Sequence, residues 1–201
     1  MNTWKNAKNA FKEMRDLNIK ELQNSKLPNH MDSFIKGVNQ LETPIKSLLD
    51  IGCGAGIFYK VCLENFPLVK YTGIDYSSNA IQIAKSTFPK GTFKVQDFQN
   101  LTSEDAEEFD IIYLGALLDV LPNALNALTS ILKHKFKIIV LGRVRLTTSD
   151  DYVKRYTAYD EIDTCMYFHN EEKLKALFTE NKYSIKYFER FDTGATIIIT
   201  C

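Results

Sequence analysis

The sequence predicts a doubly wound α/β fold: a mostly parallel seven-stranded sheet with helices on both faces. Three observations point to it. From Ser47 onward, short β-rich apolar runs alternate with amphipathic segments, an order that builds parallel sheets covered on both sides. The first run ends in Gly52-Cys53-Gly54-Ala55-Gly56, a glycine-rich turn of the kind found where such a sheet reverses its winding. The chain closes with two β-rich runs around Asp192-Thr193-Gly194, an antiparallel hairpin signal.

The elements follow in order. Residues 1–46 read as an N-terminal helical cap. Trp4, Ala7, Phe11 and Met14 recur at helical spacing, and Lys5, Lys8, Lys12 and Arg15 share a neighbouring face. A wet amphipathic helix accounts for this better than a basic cover over a ligand. Pro28 ends the pattern, Asp32 or Ser33 is placed to cap a second helix through Leu41, and Pro44 marks a loop. Residues 47–201 make the main domain of a single-domain chain. Strands are expected at 47–51, 70–74, 92–95, 110–114 and 136–141, with helices at 57–65, 78–88 and 125–133. Right-handed crossovers wind these both ways from the first strand. Asn170 caps a helix to about residue 180, and the hairpin arms are 183–191 and 195–200.

Composition narrows the class. The chain has 201 residues, 45% of them hydrophobic, and 25 Lys plus Arg against 25 Asp plus Glu. No global field draws in nucleic acid or an anionic membrane. No apolar run approaches the roughly 20 residues of a membrane span, and residues 1–11 lack the apolar core of a secretory signal. Cys53, Cys62, Cys165 and Cys201 form no Cys-x-x-Cys pair and have no histidine at metal spacing. Neither a disulfide framework nor a metal site is expected, and a cytoplasmic location is.

The glycine loop carries the chemistry. A nicotinamide fingerprint would need its third glycine at position 57, where Ile57 stands. Asp50 precedes the glycines; a carboxylate there repels a pyrophosphate and suits a cationic ligand. Asp75, 19 positions after Gly56, ends the second strand. A carboxylate there can accept from two adjacent hydroxyls, or cap the following helix. Asp97 ends the third strand, so three acidic residues stand at the carboxyl ends of three successive parallel strands.

Asp50-x-Gly52-x-Gly54-x-Gly56 after an apolar strand resembles the first motif of class I S-adenosylmethionine methyltransferases. The resemblance implies that Gly52, Cys53, Gly54 and Gly56 pack under the methionine and ribose of that cofactor. It implies that Asp75 holds the ribose, that Tyr76 lies near the adenine, that Asp97 meets its amino group, and that Phe98 packs on the ring. Residues 109–115, Phe-Asp-Ile-Ile-Tyr-Leu-Gly, resemble the family's fourth motif, with Leu114 and Gly115 beside the methionine part. Residues 117–122, Leu-Leu-Asp-Val-Leu-Pro, resemble the next helix start, with Asp119 standing where many members have a histidine. The resemblance covers about residues 47–142 and the closing hairpin.

Methyl transfer from a sulfonium needs alignment and dryness, and a base chiefly when the acceptor is a hydroxyl. His169 is the favoured base over His30, and His134 falls at the wrong edge. The long connection 143–168 reads as a substrate lid, with Arg143 and Arg155 able to meet an anionic acceptor and with Tyr156 and Tyr159 lining it. Solvated charge and tyrosine packing account for that segment equally well. No Asn/Asp-Pro-Pro-aromatic motif follows the fourth strand, which disfavours nucleic-acid amino groups. The expected function is methyl transfer to an oxygen or nitrogen of a small-molecule or sugar acceptor. S-adenosylmethionine is the cofactor; no nucleic acid and no membrane span are involved, and a homodimer is left open. The alternatives are a catalytically inactive S-adenosylmethionine-binding partner subunit and an NAD-dependent oxidoreductase, which the glycine spacing opposes.

Overall fold

A computed structural model describes residues 4, 5, 7, 9–24, 26–121, 123–160 and 162–201. Lys8 of the basic face, Pro122 of the helix start and the first three residues lie outside this set. The chain runs α1 (Asn9–Leu22), α2 (Asn29–Asn39), β1 (Ser47–Ile51), α3 (Ile57–Asn65), β2 (Lys70–Asp75), α4 (Ser78–Thr87) and β3 (Thr92–Val95). It continues through α5 (Ser103–Glu108), β4 (Ile111–Gly115), α6 (Leu117–Val120), α7 (Ala124–Lys133) and β5 (Ile138–Val144). Then come β6 (Leu146–Thr147), β7 (Tyr152–Ala158), β8 (Ile162–Asn170), α8 (Glu171–Glu180), β9 (Ser184–Phe191) and β10 (Gly194–Thr200).

The main sheet has seven strands in the order β3-β2-β1-β4-β5-β10-β9. β1 pairs in parallel with both β2 and β4, so the winding reverses at β1. β10 is antiparallel to both β5 and β9. Strand alternation sorts the core into two layers. Leu49, Ile51, Ile112, Leu114, Ile139, Leu141, Ile197 and Ile199 face α7 and α8. Leu48, Ile111, Tyr113, Ile138, Val140 and Ile198 face α2 and α3. With both faces covered, each central strand must be apolar throughout, which is why these strands read as continuous runs.

Local signals act at the ends. Ser77 caps α4, accepting from the Ala80 amide, and Asn170 caps α8 through the Lys173 amide. Asp110 staples the starts of β1 and β4, accepting from the Lys46 and Ser47 amides at 2.8 and 3.2 Å. Two expectations are corrected. α2 begins at Asn29 behind Pro28 rather than at a cap at residue 32 or 33; the Pro28 carbonyl accepts from Met31 and Asp32, and the proline's fixed φ suits a helix start. The connection 143–168 is not a loop: β6, β8 and β7 form a second, three-stranded sheet. β7 is exposed along six of its seven residues, so it carries no buried stripe for periodicity to reveal. Its turn contains Tyr159 and Asp160 at φ 53° and 50°, where glycine or asparagine is the usual signal.

Candidate active site

The glycine loop opens at the carboxyl edge of β1. Gly52, Gly54 and Gly56 take φ of 74°, 54° and 80°, a region closed to most side chains. Amides 52 and 53 donate to the Ile74 carbonyl, tying the loop to β2. Asp75 completes the tie: Oδ2 accepts from the Gly54 amide at 3.0 Å and Oδ1 from the Ser77 amide at 2.8 Å. Asp75 thus braces the loop and the turn before α4, while the cap of that helix is Ser77 and not Asp75; each carboxylate oxygen keeps a further lone pair beyond its amide bond. Burial pushes its pKa up, against the pull of those two amides.

Asp50 behaves differently from expectation. Its carboxyl is 2% exposed and accepts the Tyr71 phenol proton at 2.5 Å. Burial raises its pKa to about 7, with the nearby charge of Asp75 adding to the rise. It therefore acts inside the sheet and shows no open charge to a ligand. Asp97 caps a short 3-10 turn through the Gln99 amide at 3.0 Å. Tyr76 stands half-exposed between the charges of Asp75 and Asp97, and Phe98 leans on the core below. The Cys53 thiol turns inward, where a Cβ on Gly73 would meet it at 2.9 Å. Leu114 is buried at 1% among core residues, which corrects its assignment as a ligand-facing side chain: alternation points it into the α7 layer. Gly115, next along, lies at the edge.

The N-terminal segment roofs this loop. A Cβ on Gly54 would meet Met14 Cε at 2.8 Å and Phe11 at 3.8 Å. Ser77 donates its hydroxyl to the Lys5 carbonyl. Trp4 donates its indole N–H to Thr164 Oγ1 of β8 at 3.1 Å and packs on Phe11 and Tyr159. α1 is thereby held between the glycine loop and the small sheet.

A second centre lies at the end of β5. Arg143, at φ 57°, and Arg145 share the buried Asp119, with Nε to Oδ2 separations of 3.7 and 3.2 Å. Burial raises Asp119 to about 6 against both guanidinium charges. The charge of Arg143 also reaches Tyr156, Tyr159 and His30, so these groups gather around it. A cavity of about 420 Å³ opens here, bounded by the end of α1, the start of α2, Arg143 and the β9–β10 turn, a volume suited to a small molecule.

Two assignments are corrected. His169 is 4% exposed, and its Nε2 lies 3.1 Å from the Leu118 carbonyl. A carbonyl only accepts, so Nε2 carries the proton and the ring is a buried packing group. Arg155 lies on the opposite face of β7 from Tyr156, since successive strand residues alternate; its charge reaches Tyr167 instead. His30 is the histidine that lines the cleft beside Arg143. Its signal was its position one residue after Asn29 at a helix start, which only tertiary packing turns toward Arg143.

A family profile described as "Methyltransferase domain" matches residues 8–185. The chain is similar to malonyl-[acyl-carrier protein] O-methyltransferase 1 of Ilyobacter polytropus, with 28% identity over 70% of this chain and 47% of the relative. It is similar to human EEF1A lysine methyltransferase 2, with 31% identity over 62% and 56%. The chain spans about half the length of these curated relatives. Among solved structures, S-adenosylmethionine-bound CalS10 from Micromonospora echinaspora, an amino pentose methyltransferase, aligns at TM-score 0.66 with 14% identity, over 93% of this chain and 96% of that one. The sugar N-methyltransferase KedS8 from Streptoalloteichus aligns at 0.64 with 11% identity, over 92% of each. At such identities the structural likeness speaks for the fold.

Proposed function

The chain belongs to the class I S-adenosylmethionine-dependent methyltransferase family, and from that premise we propose that it transfers a methyl group to an oxygen or nitrogen of a small-molecule or sugar acceptor. One observation carries the reading: a left-handed glycine loop pinned by Asp75 lies at the winding reversal of the sheet, on the same edge as a cavity of about 420 Å³. The residues present fit the family's cofactor. Asp75 keeps lone pairs for two ribose hydroxyls, and Tyr76 and Asp97 stand beside it for the adenine. Gly52, Gly54 and Gly56 let the backbone approach closely. When bound, S-adenosylmethionine supplies an activated methyl on a sulfonium.

The protein's part is to bind, orient and exclude water. Phe11 and Met14 cover the loop, and Arg143 with Tyr156 and Tyr159 borders the acceptor side. All four cysteines are free thiols. Among the described residues, no helix is long and apolar enough to cross a membrane.

Calorimetry tests the reading directly. S-adenosylmethionine should bind the wild-type protein and NAD should not. Asp75→Ala should lose at least tenfold in affinity, because it removes the ribose contact and frees the Gly54 amide. Undiminished affinity in a folded Asp75→Ala protein would remove the ribose role. Incubation with acceptor panels and mass detection of a methyl gain tests the transfer itself.

A further inference from the structure

Resting on that reading, we propose that the acceptor is an anionic small molecule whose carboxylate or phosphate is held by Arg143, with its reacting hydroxyl or amine set against His30 as proton acceptor. Both residues line one cavity, built from four separate elements. Arg143 comes from the end of β5, where its left-handed backbone turns it out of the strand. His30 comes from the first turn of α2, its ring packed near Phe58 of α3 with centroids 6.3 Å apart.

The charges around the ring are few. Glu21 and Lys26 face the cavity from α1 and its exit, and Asp192 from the β9–β10 turn. Asp192 is engaged by Asn29 Nδ2 at 3.1 Å. On α2 itself, Asp32 pairs with Lys36 at 2.7 Å. Arg143 is the charge that acts on His30. Among the described residues the Arg143 guanidinium makes no hydrogen bond. Its one ionic contact is at Nε, 3.7 Å from an Asp119 that Arg145 approaches more closely. Its terminal N–H groups are thus left for a planar anion, the geometry guanidinium matches best.

The arrangement couples the two residues. Burial first, and then the Arg143 charge, lowers the free imidazole to about 4, so it is neutral at physiological pH. An anion on Arg143 cancels part of that charge and makes His30 more basic when the acceptor is in place. By linkage, a protonated His30 in turn strengthens anion binding. In the transfer, the acceptor's proton passes to the imidazole. The new bond from acceptor oxygen or nitrogen to methyl forms as the methyl–sulfur bond of S-adenosylmethionine breaks, leaving a neutral thioether. The imidazolium then returns its proton to solvent.

The experiment is an NMR titration of the His30 ring protons against pH, with and without succinate or inorganic phosphate. In the free wild-type protein the ring should titrate well below the usual histidine range. Saturating succinate or phosphate should move its titration upward by one pH unit or more. Arg143→Gln should weaken anion binding at least tenfold and abolish the shift, and Arg143→Lys should restore part of both. His30→Gln should bind S-adenosylmethionine as the wild type does, yet lower kcat on a hydroxyl acceptor by roughly 10²–10⁴ and flatten its pH profile. A His30 resonance indifferent to both anions, in a protein that still binds S-adenosylmethionine, would overturn this inference and leave the proposed function standing. Failure of the wild type to bind the cofactor would overturn the function itself.

Discussion

Glycine positions 54 and 56 share a left-handed backbone but differ in what surrounds them. A Cβ at Gly56 would meet the Phe93 ring at 2.7 Å and Ala84 Cβ at 3.0 Å, both in the core. At Gly54 the obstacle is the flexible tip of Met14. Gly56→Val should therefore cost roughly 2–4 kcal/mol of folding stability, from backbone strain plus overpacking. Gly54→Val should cost about 1–2 kcal/mol, with its main damage in cofactor affinity. Urea unfolding beside calorimetry would separate the two, and equal destabilisation would contradict this account. The glycines were legible because positive φ leaves a chemical signature. Asp50 was legible as a position and misleading as a charge. Its carboxyl lies in the sheet against Tyr71, 21 residues away, a contact no local pattern reveals. His30 and His169 were placed for the same reason: only packing put one beside Arg143 and the other under Leu118.

At the scale of elements, α1 is a roof whose fastening is Trp4. The indole links the segment before α1 to Thr164 on β8 and packs on Phe11 and Tyr159. Trp4→Ala should lose that hydrogen bond and the ring contacts, at roughly 1–3 kcal/mol. The loss should concentrate in α1, so hydrogen exchange of residues 9–22 should accelerate while β1 and β4 stay protected. Cofactor dissociation should quicken as well. Unchanged exchange in α1 would show that other contacts hold the roof. The strands of the main sheet and α3, α4, α7 and α8 follow from apolar runs and caps. The β7–β8 hairpin does not: its exposed residues carry no stripe and its turn no glycine. It exists because β8 pairs with β6 at the end of β5 and closes over the site.

For the whole molecule, buried carboxyls set the response to pH. Asp50 titrates at about 7 and Asp119 at about 6 in the fold, against an ordinary 3.8. Each is protonated in the native state while ionised in the unfolded chain over that interval. Their contribution is complete below pH about 4 and is lost as pH climbs through 6 and 7, at about 1.4 kcal/mol per pH unit per carboxyl. His30, lowered to about 4 from 6.5, acts oppositely: it adds stability above pH 6.5 that disappears as pH falls toward 4. Unfolding free energy should decline between about pH 4 and 7, because the two carboxyls outweigh the single opposing histidine there, and Asp50→Asn, which still accepts the Tyr71 proton, should flatten that decline. An Asn variant with the wild-type slope would mean that Asp50 is ionised throughout. The sequence alone determined the doubly wound sheet, the glycine loop and its family, because covered parallel strands demand apolar runs and left-handed turns demand glycine. Tertiary structure decided which carboxyl works inside, which histidine faces the cavity and what roofs the loop. Those depend on contacts between residues far apart in the chain, where burial and neighbouring charge, and not residue type, set the chemistry.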